Sequence, residues 1–254
     1  MNFSIRNYLN SLSSDVTVIN VSNKNLTYLP DLSRFHSLEE LYCNDNELIE
    51  LPRLNPSLKK LFCCKNQLTS LPPLNEKLEI LYCNINKITQ LPPLNPNLET
   101  LYCSNNGLTS LPPLSKSLIK LFCFNNELVS LPPLNKKLEI LYCFNNELAC
   151  MPLLNDKLEI IYFVANPIYY IIANISTDYG SNNIAYIKQK VKILYNFKHS
   201  YYSLKFKNKF RDWLWVKVRE PKIQEYYSPN NLVKLLSKID EDDFEQFDNA
   251  LSNW

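Results

Sequence analysis

Leucine or a close substitute recurs at Leu41, Leu61, Leu81, Leu101, Leu121, Leu141 and Ile161, a period of twenty residues kept without a slip. Other columns share that period. With Leu38 as position one, the unit reads L-x-x-L-aromatic-C-x-x-N-x-L-x-x-L-P-x-L-N-x-x, as in LEILYCNINKITQLPPLNPN from Leu78 to Asn97. An earlier, irregular turn of 22 residues, starting near Val16, places Ile19, Val21, Leu26 and Leu29 in the same columns, with Lys24 where the asparagine would stand. A fixed period of this length marks a stacked repeat, because each unit has an apolar face that only its neighbours can bury.

Within L-x-x-L-x-C the last four positions alternate as in a strand, so Leu41 and Cys43 point to one side while Glu40, Tyr42 and Asn44 point to the other. Each turn therefore supplies one short parallel strand. Twenty residues leave no room for a returning helix, and L-P-P-L segments such as Leu71 to Leu74 favour an extended, polyproline-like return. The pattern predicts a thin, right-handed α/β repeat solenoid over residues 16–166, with seven strands at ~4.8 Å spacing in a sheet about 30 Å long. The column Asn46, Asn66, Asn86, Asn106, Asn126, Asn146 and Asn166 is expected to form a buried amide ladder. An amide both donates and accepts, so it satisfies backbone groups left unpaired where a strand ends.

The ends of a solenoid need covers. Residues 1–15 suit one end, since Ile5, Leu9 and Leu12 fall at helical spacing. At the other, Asn166-Pro167-Ile168 closes the last repeat, and Tyr169 to Ile172 offer an apolar lid. Residues 167–254 read as a helical region. Ile184, Ile187, Val191 and Leu194 predict one amphipathic helix, and Tyr202, Phe206, Phe210 and Leu214 a second that ends before Pro221. Ser228-Pro229 starts another over Leu232 to Ile239, and Phe244, Phe247 and Leu251 share a face of a last short helix.

The unit resembles that of the leucine-rich repeat family in its shortest form, and its L-P-x-L return is similar to the repeats of bacterial LPX-type effectors. The resemblance covers about residues 16–166, with six repeats in register. It implies protein recognition through the concave sheet, hence a binding module. Some LPX-type effectors add a ubiquitin-ligase domain with a nucleophilic cysteine; no cysteine follows Cys150 here, so that activity is not expected. From Phe206 to Leu236 the chain also resembles a C-terminal helical tail found on proteins of giant DNA viruses of the mimivirus type. Together with the Asn, Lys, Ile and Tyr bias, this resemblance implies a viral protein whose partner is a host or viral protein.

Composition argues against catalysis. Only Gly107 and Gly180 occur, where average usage gives roughly eighteen glycines, so neither Gly-rich phosphate loop can be written onto the chain. His36 and His199 are the only histidines, and no Ser/His/Asp or paired-carboxylate arrangement stands out. The acidic run Asp240 to Asp243 reads as a helix N-terminus. The column Cys43, Cys63, Cys83, Cys103, Cys123 and Cys143 lacks the convergence of a metal site and reads as small core hydrophobes. If any thiol is reactive it is Cys64, which lies beside Lys60 and Lys65 on the other side of the strand. No enzyme activity, cofactor, metal or small-molecule substrate is expected. No apolar run approaches the ~20 residues of a membrane span, and the N-terminus lacks a secretory h-region, so a reducing intracellular compartment is expected, the infected host's cytoplasm if the protein is viral.

Two binding faces compete. Residues 188–222 carry eleven Lys/Arg against two Asp/Glu with Trp213 and Trp215 interleaved, a composition used for nucleic acid. Helical packing explains the aromatics better, and residues 223–254, with seven acids against two lysines, offset the charge. The favoured face is the concave one. Position five gives an aromatic column, Tyr42, Phe62, Tyr82, Tyr102, Phe122, Tyr142 and Tyr162. Positions three and seven change from Glu40, Asn44, Lys60 and Asn84 to Phe124, Ile140, Phe144, Ile160 and Val164, with Ile80 an early exception. The expected protein-binding residues are Tyr82, Tyr102, Phe122, Phe124, Ile140, Tyr142, Phe144 and Tyr162, centred on Phe122, Phe124, Tyr142 and Phe144. The alternative occupant of that patch is the chain's own C-terminal region.

Overall fold

A computed structural model describes residues 3–174 and 184–214. The chain divides into two compact units, Met1–Tyr195 and Asn196–Trp254. The first unit is built on a sheet of eight parallel strands in strict chain order. These are β1 (Val18–Asn20), β2 (Glu40–Tyr42), β3 (Lys60–Phe62), β4 (Ile80–Tyr82), β5 (Thr100–Tyr102), β6 (Lys120–Phe122), β7 (Ile140–Tyr142) and β8 (Ile160–Tyr162). The register is constant: Leu41 pairs Leu61, Leu61 pairs Leu81, and so on to Leu141 with Ile161. The expected repeat solenoid is what forms, with eight strands where seven were counted, because the irregular first turn contributes β1, whose Ile19 pairs Leu41.

The strands are only three residues long because hydrogen bonding continues beyond them in the turn. Cys43 N–H donates to Phe62 O, Asp45 N–H to Cys64 O and Asn46 N–H to Lys65 O, and equivalent bonds recur up the stack. To aim those N–H groups at the next turn, the backbone enters the left-handed region at Asp45, Lys65, Ile85, Asn105, Asn125, Asn145 and Ala165, with φ between 52° and 56°. A β-branched residue there is strained, by about 1 kcal/mol or more relative to a residue that tolerates the conformation. Ile85 is that residue, and it lies exposed, so it gains little from burial. Ile85→Asn is therefore expected to stabilise the protein by about 1 kcal/mol. Urea unfolding followed by circular dichroism checks this; an unchanged or lower midpoint contradicts the strain.

Inside the solenoid, the leucines of positions one, four and eleven and the cysteines of position six are buried in one cluster, most of them completely. Each buried leucine contributes roughly 1.5–3 kcal/mol of hydrophobic stabilisation. The return path carries neither helix nor strand, in keeping with its prolines. At the N-terminal end, α1 (Ile5–Asn10) is capped by Ser4, whose hydroxyl accepts from Asn7 N–H at 3.4 Å, and it buries Ile5 and Leu9. The Arg34 guanidinium donates to Leu9 O and lies over the Phe35 ring at 4.6 Å, tying this cap to the first turn.

At the C-terminal end, α2 (Pro167–Asn174) begins with proline in its first turn, where a missing N–H costs nothing. It buries Ile168 and Ile172, and Tyr169 meets Phe163 edge-on at 5.6 Å. The third helix, α3, runs unbroken over Ile184–Leu214. This corrects the expected pair of helices: no glycine or proline lies between residues 184 and 214, so nothing terminates the first. Within the first unit, α3 buries Val191 and packs Ile184, Ile187 and Leu194 against the core, and Lys188 Nζ donates to Asp156 O at 2.9 Å. In the second unit, Lys205, Lys207, Lys209 and Arg211 are exposed on the same helix. The expected helices after Pro221, Trp215 and the acidic run lie outside the described residues. Among the described residues no helix is long and apolar enough to cross a membrane.

Candidate functional site

The concave face is positioned by the asparagine column behind it. Asn66 is typical: its Nδ2 donates to Cys43 O at 3.0 Å, to Cys63 O at 3.2 Å and to Cys64 O at 3.2 Å. Its Oδ1 accepts from Leu48 N–H at 3.0 Å. Asn46, Asn86, Asn106, Asn126, Asn146 and Asn166 repeat the arrangement, each amide joining its own turn to the preceding one. A second amide column runs along the return side, unassigned by sequence reasoning although its asparagine is part of the repeat. Asn55 Nδ2 donates to Phe35 O, Asn75 to Asn55 O, Asn95 to Leu78 O, Asn135 to Leu118 O and Asn155 to Leu138 O, at 2.6 to 3.0 Å. A third, shorter chain edges the face, where Asn145 Nδ2 donates to Asn125 Oδ1 and Asn125 Nδ2 to Asn105 Oδ1.

On the face itself the position-five rings form a continuous ladder from Tyr42 to Tyr162, with successive centroids 4.6, 5.0, 5.4, 4.8, 5.1 and 4.7 Å apart. That pitch is the interstrand spacing, so the sheet itself imposes the stacking. Tyr82, Tyr102, Phe122 and Tyr142 are half-buried by their neighbours, whereas Tyr162, last in the row, is 41% exposed.

The two ends of the face differ in chemistry. At the early end Glu40 accepts from the Tyr42 hydroxyl and from Lys60, at 2.7 and 2.9 Å. Those two hydrogen bonds hold the Glu40 carboxyl below the usual range, and the bond to Glu40 raises the Tyr42 phenol. At the late end Phe124 and Phe144 stack at 4.4 Å with 9° between planes, and Phe124 also meets Tyr102 edge-on at 5.8 Å. Ile140 and Phe144 are half-buried, and Ile160 and Val164 are exposed at 38% and 43%. Thus the structure brings Phe122, Phe124, Ile140, Tyr142, Phe144 and Tyr162 onto one surface, with Tyr82 and Tyr102 extending it toward the middle of the solenoid. Beside Tyr102, Ser104 is fully buried and its hydroxyl lacks a hydrogen-bond partner.

None of the eight cysteines, all among the described residues, forms a disulfide, and the column of six is buried. Burial raises each of those six thiols well above its ordinary value. Cys64, on the other side of the strand, is half-buried. Its Sγ donates to Asn84 Oδ1 at 2.7 Å, and burial pushes its pKa up to about 11. The neighbouring lysines do not offset this, since Lys60 is engaged by Glu40 and Lys65 by Asp45 at 3.1 Å. Iodoacetamide at about pH 8 is expected to alkylate Cys64 at least a hundredfold more slowly than an unperturbed thiol of pKa ~8.5, the rate still climbing toward pH 10. Peptide mapping by mass spectrometry reads the rate, and alkylation at the free-thiol rate contradicts the assignment.

Stacked single-strand turns, an asparagine ladder that ties each turn to the one before and an aromatic column across the sheet define a leucine-rich repeat architecture. The sequence pattern of that family, in the form described as leucine rich repeats (2 copies), matches residues 56–96 and 96–136. Among solved structures, the chain is similar to a Shigella effector leucine-rich-repeat domain, with 30% identity over 69% of this chain and 82% of that one and a TM-score of 0.57. It is also similar to YopM from Yersinia enterocolitica WA-314, with 37% identity over 61% of this chain and a TM-score of 0.59. YopM from Yersinia pestis, a leucine-rich effector protein, is 32% identical over 59% of this chain, with a TM-score of 0.51. The chain spans 34% and 49% of those two YopM chains. No curated protein sequence gives a significant match. The chain belongs to the leucine-rich repeat family, in the branch with repeats of about 20 residues.

Proposed function

We infer that this protein is a non-enzymatic recognition module that binds a partner protein through the late half of its concave face. The observation that carries this reading is the change along one surface from a self-satisfied polar network at Glu40, Tyr42 and Lys60 to an apolar surface at Phe124, Phe144, Ile160, Tyr162 and Val164. Residues needed only to hold the sheet would not change character with distance along it. Exposed apolar patches rimmed by polar residues mark contact surfaces, and aromatic anchors supply much of their energy. Similarity to effector repeat domains supports the same class of function. A viral origin, implied by the resemblance of the segment after Phe206, belongs to this reading and would place the partner in the infected cell.

Phe124→Ser with Phe144→Ser tests it. Partner capture by the full chain is expected to fall at least tenfold while the melting temperature stays within a few degrees, because both rings lie on the surface of a core they do not fill. Intact capture with a lowered melting temperature would assign the pair to internal packing and overturn the reading.

A further inference from the structure

We propose that the late half of the concave face receives a cationic amphipathic segment of the partner; this rests on the reading that the face binds a protein. The charges of the solenoid are distributed unevenly. In the early turns acids and lysines alternate up the stack and pair: Glu39 with Lys59 at 2.9 Å, Glu40 with Lys60 at 2.9 Å, and Asp45 with Lys65 at 3.1 Å. These are the ion pairs among the described residues, and all three join the same two turns.

In the late turns like charges follow one another instead. Glu139 and Glu159 immediately precede β7 and β8, while Glu127 and Glu147 stand just past the turns that leave β6 and β7. Glu127, Glu147 and Glu159 are exposed and Glu139 is half-buried, and none of the four is in an ion pair with another described residue. Lys137 and Lys157 stand two residues ahead of Glu139 and Glu159 without reaching them. Neighbours in such a column stand about one strand spacing apart, ~4.8 Å between backbones, where like charges repel. The solenoid therefore carries carboxylates at both ends of its late strands, with the apolar surface of Phe124, Ile140, Phe144, Ile160 and Tyr162 between them. Lys120 is the one basic residue in the concave columns of these turns. A segment with an apolar stripe and flanking lysines or arginines satisfies both features at once: its stripe covers the rings, and its cations relieve the carboxylate repulsion on either side.

The probe is a pair of synthetic peptides, each about 16 residues long, or ~24 Å as a helix, with the same leucine stripe at helical spacing. One carries lysine at the remaining positions, the other glutamate. Binding to the full chain is read by fluorescence anisotropy at about 50 and 200 mM salt. The lysine peptide is expected to bind at least tenfold more tightly than the glutamate peptide and to weaken severalfold at the higher salt. Combined Glu127→Gln, Glu139→Gln, Glu147→Gln and Glu159→Gln is expected to abolish that preference, and Phe124→Ser with Phe144→Ser to abolish binding. Equal affinity for the two peptides, a preference that survives the four glutamine substitutions, or no binding of either peptide overturns the proposal. The reading of the face as a protein-binding surface fails separately, if partner capture survives loss of the two phenylalanines. Capture that needs those rings but ignores the four glutamates would sink only the charge complementarity.

Discussion

Asn126→Ala is expected to destabilise the protein by about 2–4 kcal/mol, a large loss for a change of one small amide. The magnitude follows from what the amide holds. Its Nδ2 donates to Cys103 O and Cys123 O at 3.1 Å and to Phe124 O at 3.3 Å, and its Oδ1 accepts from Leu108 N–H at 3.1 Å. Alanine leaves the buried Leu108 N–H without a partner, at roughly 1–3 kcal/mol, and takes one of two donors from each carbonyl, since Cys103 O keeps Asn106, Cys123 O keeps Asn146 and Phe124 O keeps the Asn105 N–H. Asn126→Asp separates hydrogen bonding from volume. It keeps the acceptor for Leu108 but turns a second oxygen toward three carbonyl oxygens, so a loss comparable to alanine's is expected at neutral pH. Urea titration of the three proteins checks this, and an aspartate variant as stable as the parent would mean that the donor side of the ladder contributes little.

The second large effect is expected in the leucine core. Leu101→Ala should cost about 2–5 kcal/mol, the range for a fully buried leucine whose cavity cannot collapse. Collapse is opposed from both sides, because Leu81 and Leu121 stack above and below with no exposure of their own. Ile161→Ala, the equivalent change in the last strand, is expected to cost distinctly less, since Ile161 is only partly buried. Equal losses at the two sites would contradict a core built turn upon turn and would imply that α2 closes the end as tightly as another repeat.

The fold was legible because a strict period states the same instruction many times. Leucines recurring every twenty residues specify strand, register and core together, and no local ambiguity survives six repetitions. Features without a chemical signature were not legible. The left-handed column holds Asp45, Lys65, Ile85, three asparagines and Ala165, residues that share a backbone conformation and little else. Alternation told which side of the strand Cys64 takes, but depth depends on the neighbouring turn, where Asn84 meets its thiol. The break expected between Leu194 and Tyr202 came from reading two apolar sets as two helices, although the intervening residues contain no helix terminator. On the aromatic side of the sheet, the repeat columns were enough to place Phe122 beside Tyr142 and Ile140 beside Ile160, since a parallel in-register sheet turns columns of the repeat into neighbours in space.

The asparagine ladder also gives the molecule a direction in time. Each amide closes the turn before its own: Asn46 accepts from Lys24 and Leu26 in a first turn that has no such asparagine, and Asn166 accepts from Leu148 and donates to Cys143 one turn back. During synthesis from the N-terminus, the acceptor for the Leu108 N–H, Asn126, emerges 18 residues after it, so the hydrogen bonding of each turn is completed only by the turn that follows. The last such completion falls to Asn166, which accepts from the Leu148 N–H and donates to Cys143 O one turn back.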